Sequence, residues 1–121
     1  MQGRIIFLNG VTSSGKTEIY THHIARALER GEDVLLLVPE ISLTAQLVER
    51  MRRIFSDRVI AYHSKLTATR RTQIYMDMLL TDAGRLIVGA RSALFLPYKN
   101  LGLVVVDEEH DSSYKQTEPS P

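Results

Sequence analysis

The residues with the most chemical potential stand near the two ends of the chain. Close to the start, Gly10-Val11-Thr12-Ser13-Ser14-Gly15-Lys16-Thr17 sets two glycines, a lysine and a threonine at the spacing of a phosphate-binding loop. Such a loop wraps polyphosphate oxygens in backbone N–H groups, helped by the positive end of a following helix, and glycine permits the tight curl this needs. Lys16 is the side chain that reaches the β- and γ-phosphates, and the Thr17 hydroxyl is a ligand for Mg²⁺. Near the other end, the apolar run Leu103 to Val106 stops in Asp107-Glu108-Glu109-His110. Carboxylates crowded at a strand end repel one another unless a cation lies among them. Asp107 is therefore the candidate partner of Mg²⁺, and Glu108 the candidate base that orients and deprotonates an attacking water. His110 is either an exposed loop residue or a relay that passes on nucleotide state. Taken separately, the segments also read as a Gly/Ser turn and a solvated acidic loop; their joint presence disfavours that reading.

Both motifs need a scaffold that brings them together. Apolar runs recur at Ile5 to Leu8, Val34 to Val38, Val59 to Ala61, Leu86 to Val88 and Leu103 to Val106. They are rich in Val, Ile and Leu with little alternation, the pattern of parallel strands covered on both faces. Helical spacing links Ile19, Ile24, Ala27 and Leu28, then Leu43, Leu47, Met51, Ile54 and Phe55, then Ile74, Met78 and Leu79. Gly31 and Gly84 stand where helices should end. Strands alternating with helices predict a three-layer α/β domain whose ligands bind at the carboxyl ends of the strands. The glycine loop follows the first strand and the acidic residues end the last, so both belong to that rim.

Composition sets outer limits. The chain has 121 residues, 44% hydrophobic and 24% charged, which suits one globular domain spanning 1–121. Fifteen Lys and Arg against fourteen Asp and Glu leave a net charge of +1, so bulk charge argues for no nucleic acid, membrane or acidic partner, and such binding has to come from local sites. The absence of cysteine excludes disulfides and thiolate metal sites and fits a cytoplasmic setting. The longest apolar runs are too short to cross a bilayer. No signal peptide precedes the first strand, and the abrupt start and the Thr117-Glu118-Pro119-Ser120-Pro121 end read as a piece of a longer chain.

Five segments, in order, carry a resemblance. Gly10 to Tyr20, Leu37 to Gln46, His63-Ser64, Ile87 to Pro97 and Val106 to Gln116 resemble successive motifs of the PriA family of replication-restart helicases, in helicase superfamily 2. The resemblance implies a RecA-like P-loop NTPase fold, mostly parallel, as the first of two motor lobes with ATP and Mg²⁺ bound between them. Lys16, Thr17, Asp107 and Glu108 then take the roles derived above. Pro39 to Gln46 resembles helicase motif Ia and Gly89 to Ser92 motif Ib, both on the family's single-stranded DNA path. Hydroxyls and amides at Ser42 and Thr44, with Arg91 and Ser92, can hold phosphates without reading bases. The structural alternative for Arg91 is an ion pair. Asp111 to Gln116 resembles the start of the family's aromatic-rich loop, with Tyr114 its aromatic here and Lys115 a phosphate partner. Two positions depart from the family pattern: Ser13 stands where glycine is usual, and Ala90 replaces a usual threonine.

The resemblance also implies what lies outside this chain: an amino-terminal DNA-binding region, a cysteine-rich zinc module, the second lobe with its arginine finger, and the motif after the aromatic-rich loop. In related lobes that motif ends a strand between the phosphate-loop strand and the acidic-box strand, so a truncated sheet with a central vacancy and a strained, exchanged or oligomeric assembly is predicted. The function implied is the ATP-binding lobe of an ATP-dependent DNA helicase in replication restart. Its partners are single-stranded or forked DNA, the second lobe, and primosome and single-strand-binding proteins. Two other functions fit the motifs: a nucleotide-dependent switch module, and a different superfamily 2 helicase or translocase.

Overall fold

A computed structural model of the chain describes residues 4–8 and 13–107; the side chains of residue 8 and residues 13–17 fall outside that description. Five strands alternate with helices: β1 (Arg4–Leu8), α1 (Ser13–Glu29), β2 (Asp33–Leu37), α2 (Ala45–Phe55), β3 (Val59–Tyr62), α3 (Ala68–Leu80), β4 (Leu86–Gly89) and β5 (Leu101–Asp107). Short 3₁₀ turns follow β2 (Glu40–Ser42), α2 (Ser56–Arg58) and β4 (Arg91–Phe95). The strands form one sheet in the order β1-β5-β2-β4-β3, and every pairing is parallel. The α/β class and all five strands agree with the sequence reading.

Two buried clusters, one on each face, make the three layers. On one face, Tyr20, Ile24, Ala27 and Leu28 of α1 and Val48 and Met51 of α2 pack on Val34, Leu36, Leu86, Val88, Leu103 and Val105. On the other, Ile74 and Met78 of α3 join Ala93 and Leu96 over Leu35 and Ile87. The residues of β2 and β4 that face opposite ways are buried equally, which is why their apolar runs do not alternate. Helix faces were read less well than strands. Tyr20, not Ile19, leads the buried stripe of α1, and Ile54 and Leu79 are exposed. Gly31 takes φ +79 just beyond α1, as expected of a helix-ending glycine. Gly84 has a different role, for α3 already ends at Leu80 with Thr81 as its cap.

The vacancy expected between the first and last strands does not open. β1 pairs directly with β5 in a continuous register from Arg4↔Leu103 to Leu8↔Asp107. Backbone N–H and C=O groups along two strand edges satisfy each other once the strands close to about 4.8 Å, so direct pairing is favoured over a gap. Among the described residues the outer side of β1 has no strand partner. Ile5 and Phe7 there are each 62% exposed, although Ile6, facing the other way, packs against the α1 side of the core.

The amino-terminal rim of the sheet is held by one buried carboxylate. Asp33 accepts hydrogen bonds from the backbone N–H groups of Gly84 (2.8 Å), Arg85 (3.0 Å) and Lys99 (3.2 Å), which ties the entries of β2, β4 and β5 together. Gly84 serves this clasp with φ +114, a conformation that disfavours other residues. This scaffold leaves the opposite rim to loops alone.

Candidate functional site

The register of β1 on β5 decides how the two chemical motifs meet. Leu8, the last residue before the glycine loop, is the partner of Asp107, the first acidic residue after β5. Adjacent parallel strands lie about 4.8 Å apart, so Leu8 and Asp107 stand side by side at the carboxyl rim of the sheet. Asp107 is half-buried there. Helix α1 begins at Ser13 on the same rim, with no acidic residue in its first turn, which suits the helix dipole to an anion. Ser13, Ser14, Gly15, Lys16 and Thr17 all lie in that first part of α1, while Gly10, Val11 and Thr12 are outside the described residues, as are Glu108, His110, Tyr114 and Lys115. A carboxylate at a strand end beside a helix amino terminus fits Mg²⁺ with a polyphosphate: one group attracts the cation, the other the anion. Among the described residues no group of three or more His, Asp or Glu gathers as a metal site.

The same rim carries the other predicted residues on the loops after β2 and β4, which are neighbours in the sheet. Ser42 ends the turn after β2, where its N–H donates to the Pro39 carbonyl (2.8 Å). Thr44 caps α2: its Oγ1 accepts from the Leu47 N–H (3.2 Å). The cap occupies one lone pair and leaves the O–H free in geometry to donate to a phosphate. Arg91 and Ser92 are exposed at the start of the turn after β4. Among the described residues Arg91 forms no ion pair. Gly89 allows this turn to fold back closely, because a β-carbon on it would lie 2.6 Å from that of Ala93.

Sequence reading missed two features of this rim. An open groove of about 320 Å³ lies between α2 and the loop after β3, lined by Leu43, Thr44, Val48, Arg52, Ala61 and His63 among others. It puts His63 on the same surface as Thr44. Second, Glu40 reaches from the β2 loop to Ser64 in the β3 loop, accepting from both its N–H (3.4 Å) and its hydroxyl (3.0 Å). Only the His63-Ser64 dipeptide hinted at this rim segment, and nothing local to Glu40 names its partner.

Comparison with known proteins agrees with these observations. The profile of the DEAD/DEAH box helicases matches residues 1–120. The replication restart protein PriA of Helicobacter pylori is 53% identical over 108 residues, 89% of this chain and 17% of that protein. Those of Synechocystis sp. and Bacillus subtilis are 47% and 46% identical over 116 and 115 residues, each 14% of the relative. The chain thus spans about a sixth of the length of the curated relatives it matches.

Proposed function

The chain belongs to the DEAD/DEAH box helicase family, and from that premise we propose that it is the ATP-binding first motor lobe of a DNA helicase that acts in replication restart and primosome assembly. The observation that supports this reading is the Leu8↔Asp107 register, which sets the residue before the phosphate loop beside the first acidic residue. ATP with Mg²⁺ supplies a reactive γ-phosphoryl group when bound. Gly10 to Gly15 would cradle its phosphates through backbone N–H groups, Lys16 would hold the β- and γ-phosphates, and Thr17 and Asp107 would hold the metal. Glu108 would orient an attacking water and accept its proton, and His110 would couple the nucleotide to the DNA-contacting loops. Ser42, Thr44, Arg91 and Ser92 grip the phosphates of single-stranded DNA, joined by Tyr114 and Lys115.

On this reading the chain works with a second motor lobe. An arginine finger from such a lobe is worth about 10³ to 10⁵ in rate, so this chain alone binds nucleotide and turns it over poorly. Zinc, single-strand-binding proteins and other primosome components engage other parts of a longer protein, and a cytoplasmic setting goes with that work. Among the described residues no helix is long and apolar enough to cross a membrane.

Titration of the chain with ATP-Mg²⁺ and GTP-Mg²⁺ tests the reading. Binding should fall at least about tenfold in Lys16→Ala, the loss of a charge-assisted phosphate contact worth roughly 1.5–3 kcal/mol. Equal binding by both forms, or vigorous DNA-stimulated turnover by the chain alone, would contradict it.

A further inference from the structure

The turn after β3, with His63, Ser64 and Lys65, has no part in the function proposed above, yet it is the segment to which Glu40 reaches. β2 and β3 are not neighbours, since β4 lies between them in the sheet. The Glu40 carboxylate therefore crosses the end of β4 to accept two hydrogen bonds from Ser64. Two further contacts tighten the same region. The Val38 N–H donates to the Gly89 carbonyl (3.0 Å), which pins the β2 exit to the β4 exit. The Lys65 N–H donates to Nδ1 of His63 (3.2 Å), which sets the shape of the turn. Thr44 and His63 then line one groove.

The geometry points to Glu40 as a positioning residue that locks the β2 loop, with Ser42 and Thr44, to the His63–Lys65 turn, so that both meet a nucleic-acid backbone as one preformed surface. The inference rests on the nucleic-acid reading above. A carboxylate is an odd choice for a surface that binds phosphates: as a charge it repels them. Its presence is explained if its acceptor function outweighs its charge. Ordering the two loops beforehand removes an entropy cost from binding, since flexible segments otherwise have to be fixed when the ligand arrives.

This opposition gives the test its sign. Binding of a fluorescent single-stranded oligonucleotide to the full chain is followed by anisotropy for wild type, Glu40→Ala, Glu40→Gln, Ser64→Ala and the Glu40→Ala/Ser64→Ala pair. If Glu40 acted only through charge, Glu40→Ala would bind more tightly, and most clearly at low salt. Positioning predicts the reverse. Glu40→Ala weakens binding about threefold to tenfold, the range expected for one or two net hydrogen bonds. Glu40→Gln, which keeps an acceptor oxygen and loses the charge, binds as wild type or better. The double variant is no worse than Glu40→Ala, because both substitutions remove the same contact. Glu40→Ala binding as tightly as wild type, while Arg91→Ala binds more weakly, overturns this inference and leaves the nucleic-acid reading standing. A wild-type chain with no affinity for the oligonucleotide defeats both.

Discussion

Gly89 ends β4 directly beneath the turn that carries Arg91 and Ser92, and one methyl group added there tests whether that contact sets the rim. A β-carbon at Gly89 would lie 2.6 Å from the β-carbon of Ala93 and 2.9 Å from the carbonyl oxygen of Tyr62. Non-bonded carbons settle roughly 3.5–4.0 Å apart, so Gly89→Ala demands about 1 Å of extra space. Neither neighbour gives way easily: Ala93 is fully buried, and Tyr62 is the register partner of Gly89 in the β3–β4 ladder. Overpacking of this sort costs about 1–3 kcal/mol. With a urea dependence of about 1–3 kcal/mol per molar, the unfolding midpoint should fall by about 1 M. The function should suffer beyond that. A displacement of about 1 Å takes the Arg91 guanidinium out of hydrogen-bonding range of a fixed phosphate, a loss of roughly 1.5–3 kcal/mol, so oligonucleotide affinity drops by about tenfold or more. Gly31→Ala is the control. Gly31 has φ +79 with open space around it, at the opposite rim, so alanine there costs roughly 1–2 kcal/mol of backbone strain and leaves binding intact. Urea titration by circular dichroism and anisotropy of the folded variants report the two effects separately. Gly89→Ala with the wild-type midpoint and affinity would refute the argument.

Three further perturbations follow from named contacts. Asp33→Ala leaves three backbone donors without their carboxylate and should destabilise the chain by about 3 kcal/mol or more, whereas Asp33→Asn keeps one acceptor oxygen and costs less; equal unfolding midpoints for the two would show that the clasp is not what the carboxylate supplies. Ile5 and Phe7 are exposed on β1, which is an edge strand among the described residues, so the wild-type chain should self-associate in sedimentation velocity and Ile5→Lys/Phe7→Lys should not; a wild-type chain that stays monodisperse and monomeric contradicts this. Burial, then the charges of Asp33 and Tyr62, push the Tyr98 hydroxyl well above its ordinary value of 10.0, and that hydroxyl donates to the Ala93 carbonyl at 2.7 Å. The folded state holds this proton more tightly than the unfolded one, so its stabilising effect is complete below pH 10 and is lost as pH rises above it; alkaline unfolding should be steeper in wild type than in Tyr98→Phe, and equal slopes would remove the assignment.

What could be read from the residues, and what could not, divides by the range of the interactions concerned. The strands were legible because a run such as Val34 to Val38 is buried on both faces and bounded by polar or turn residues within a few positions. The phosphate loop and the acidic residues can be named from sequence because each motif is contiguous, but most of their residues lie outside the described ones. Helix faces were harder, because Ile19 and Tyr20 are adjacent and hydrophobicity alone prefers the residue that turns out to be exposed. The spacing of Tyr20, Ile24, Ala27 and Leu28 was the better guide. Nothing local could place Asp33, whose partners lie 51, 52 and 66 residues away, or Glu40, whose partner lies 24 away. The pairing of β1 with β5 is of the same kind: it joins the two ends of the chain, and the expectation of a gap between them came from related lobes rather than from these residues. On the proposed reading the chemistry of this site is written in short motifs, while the rim that carries them depends on contacts between distant segments. Substituting a motif residue should remove a step outright, and substituting Asp33, Glu40 or Gly89 should instead alter how well the intact motifs are aimed.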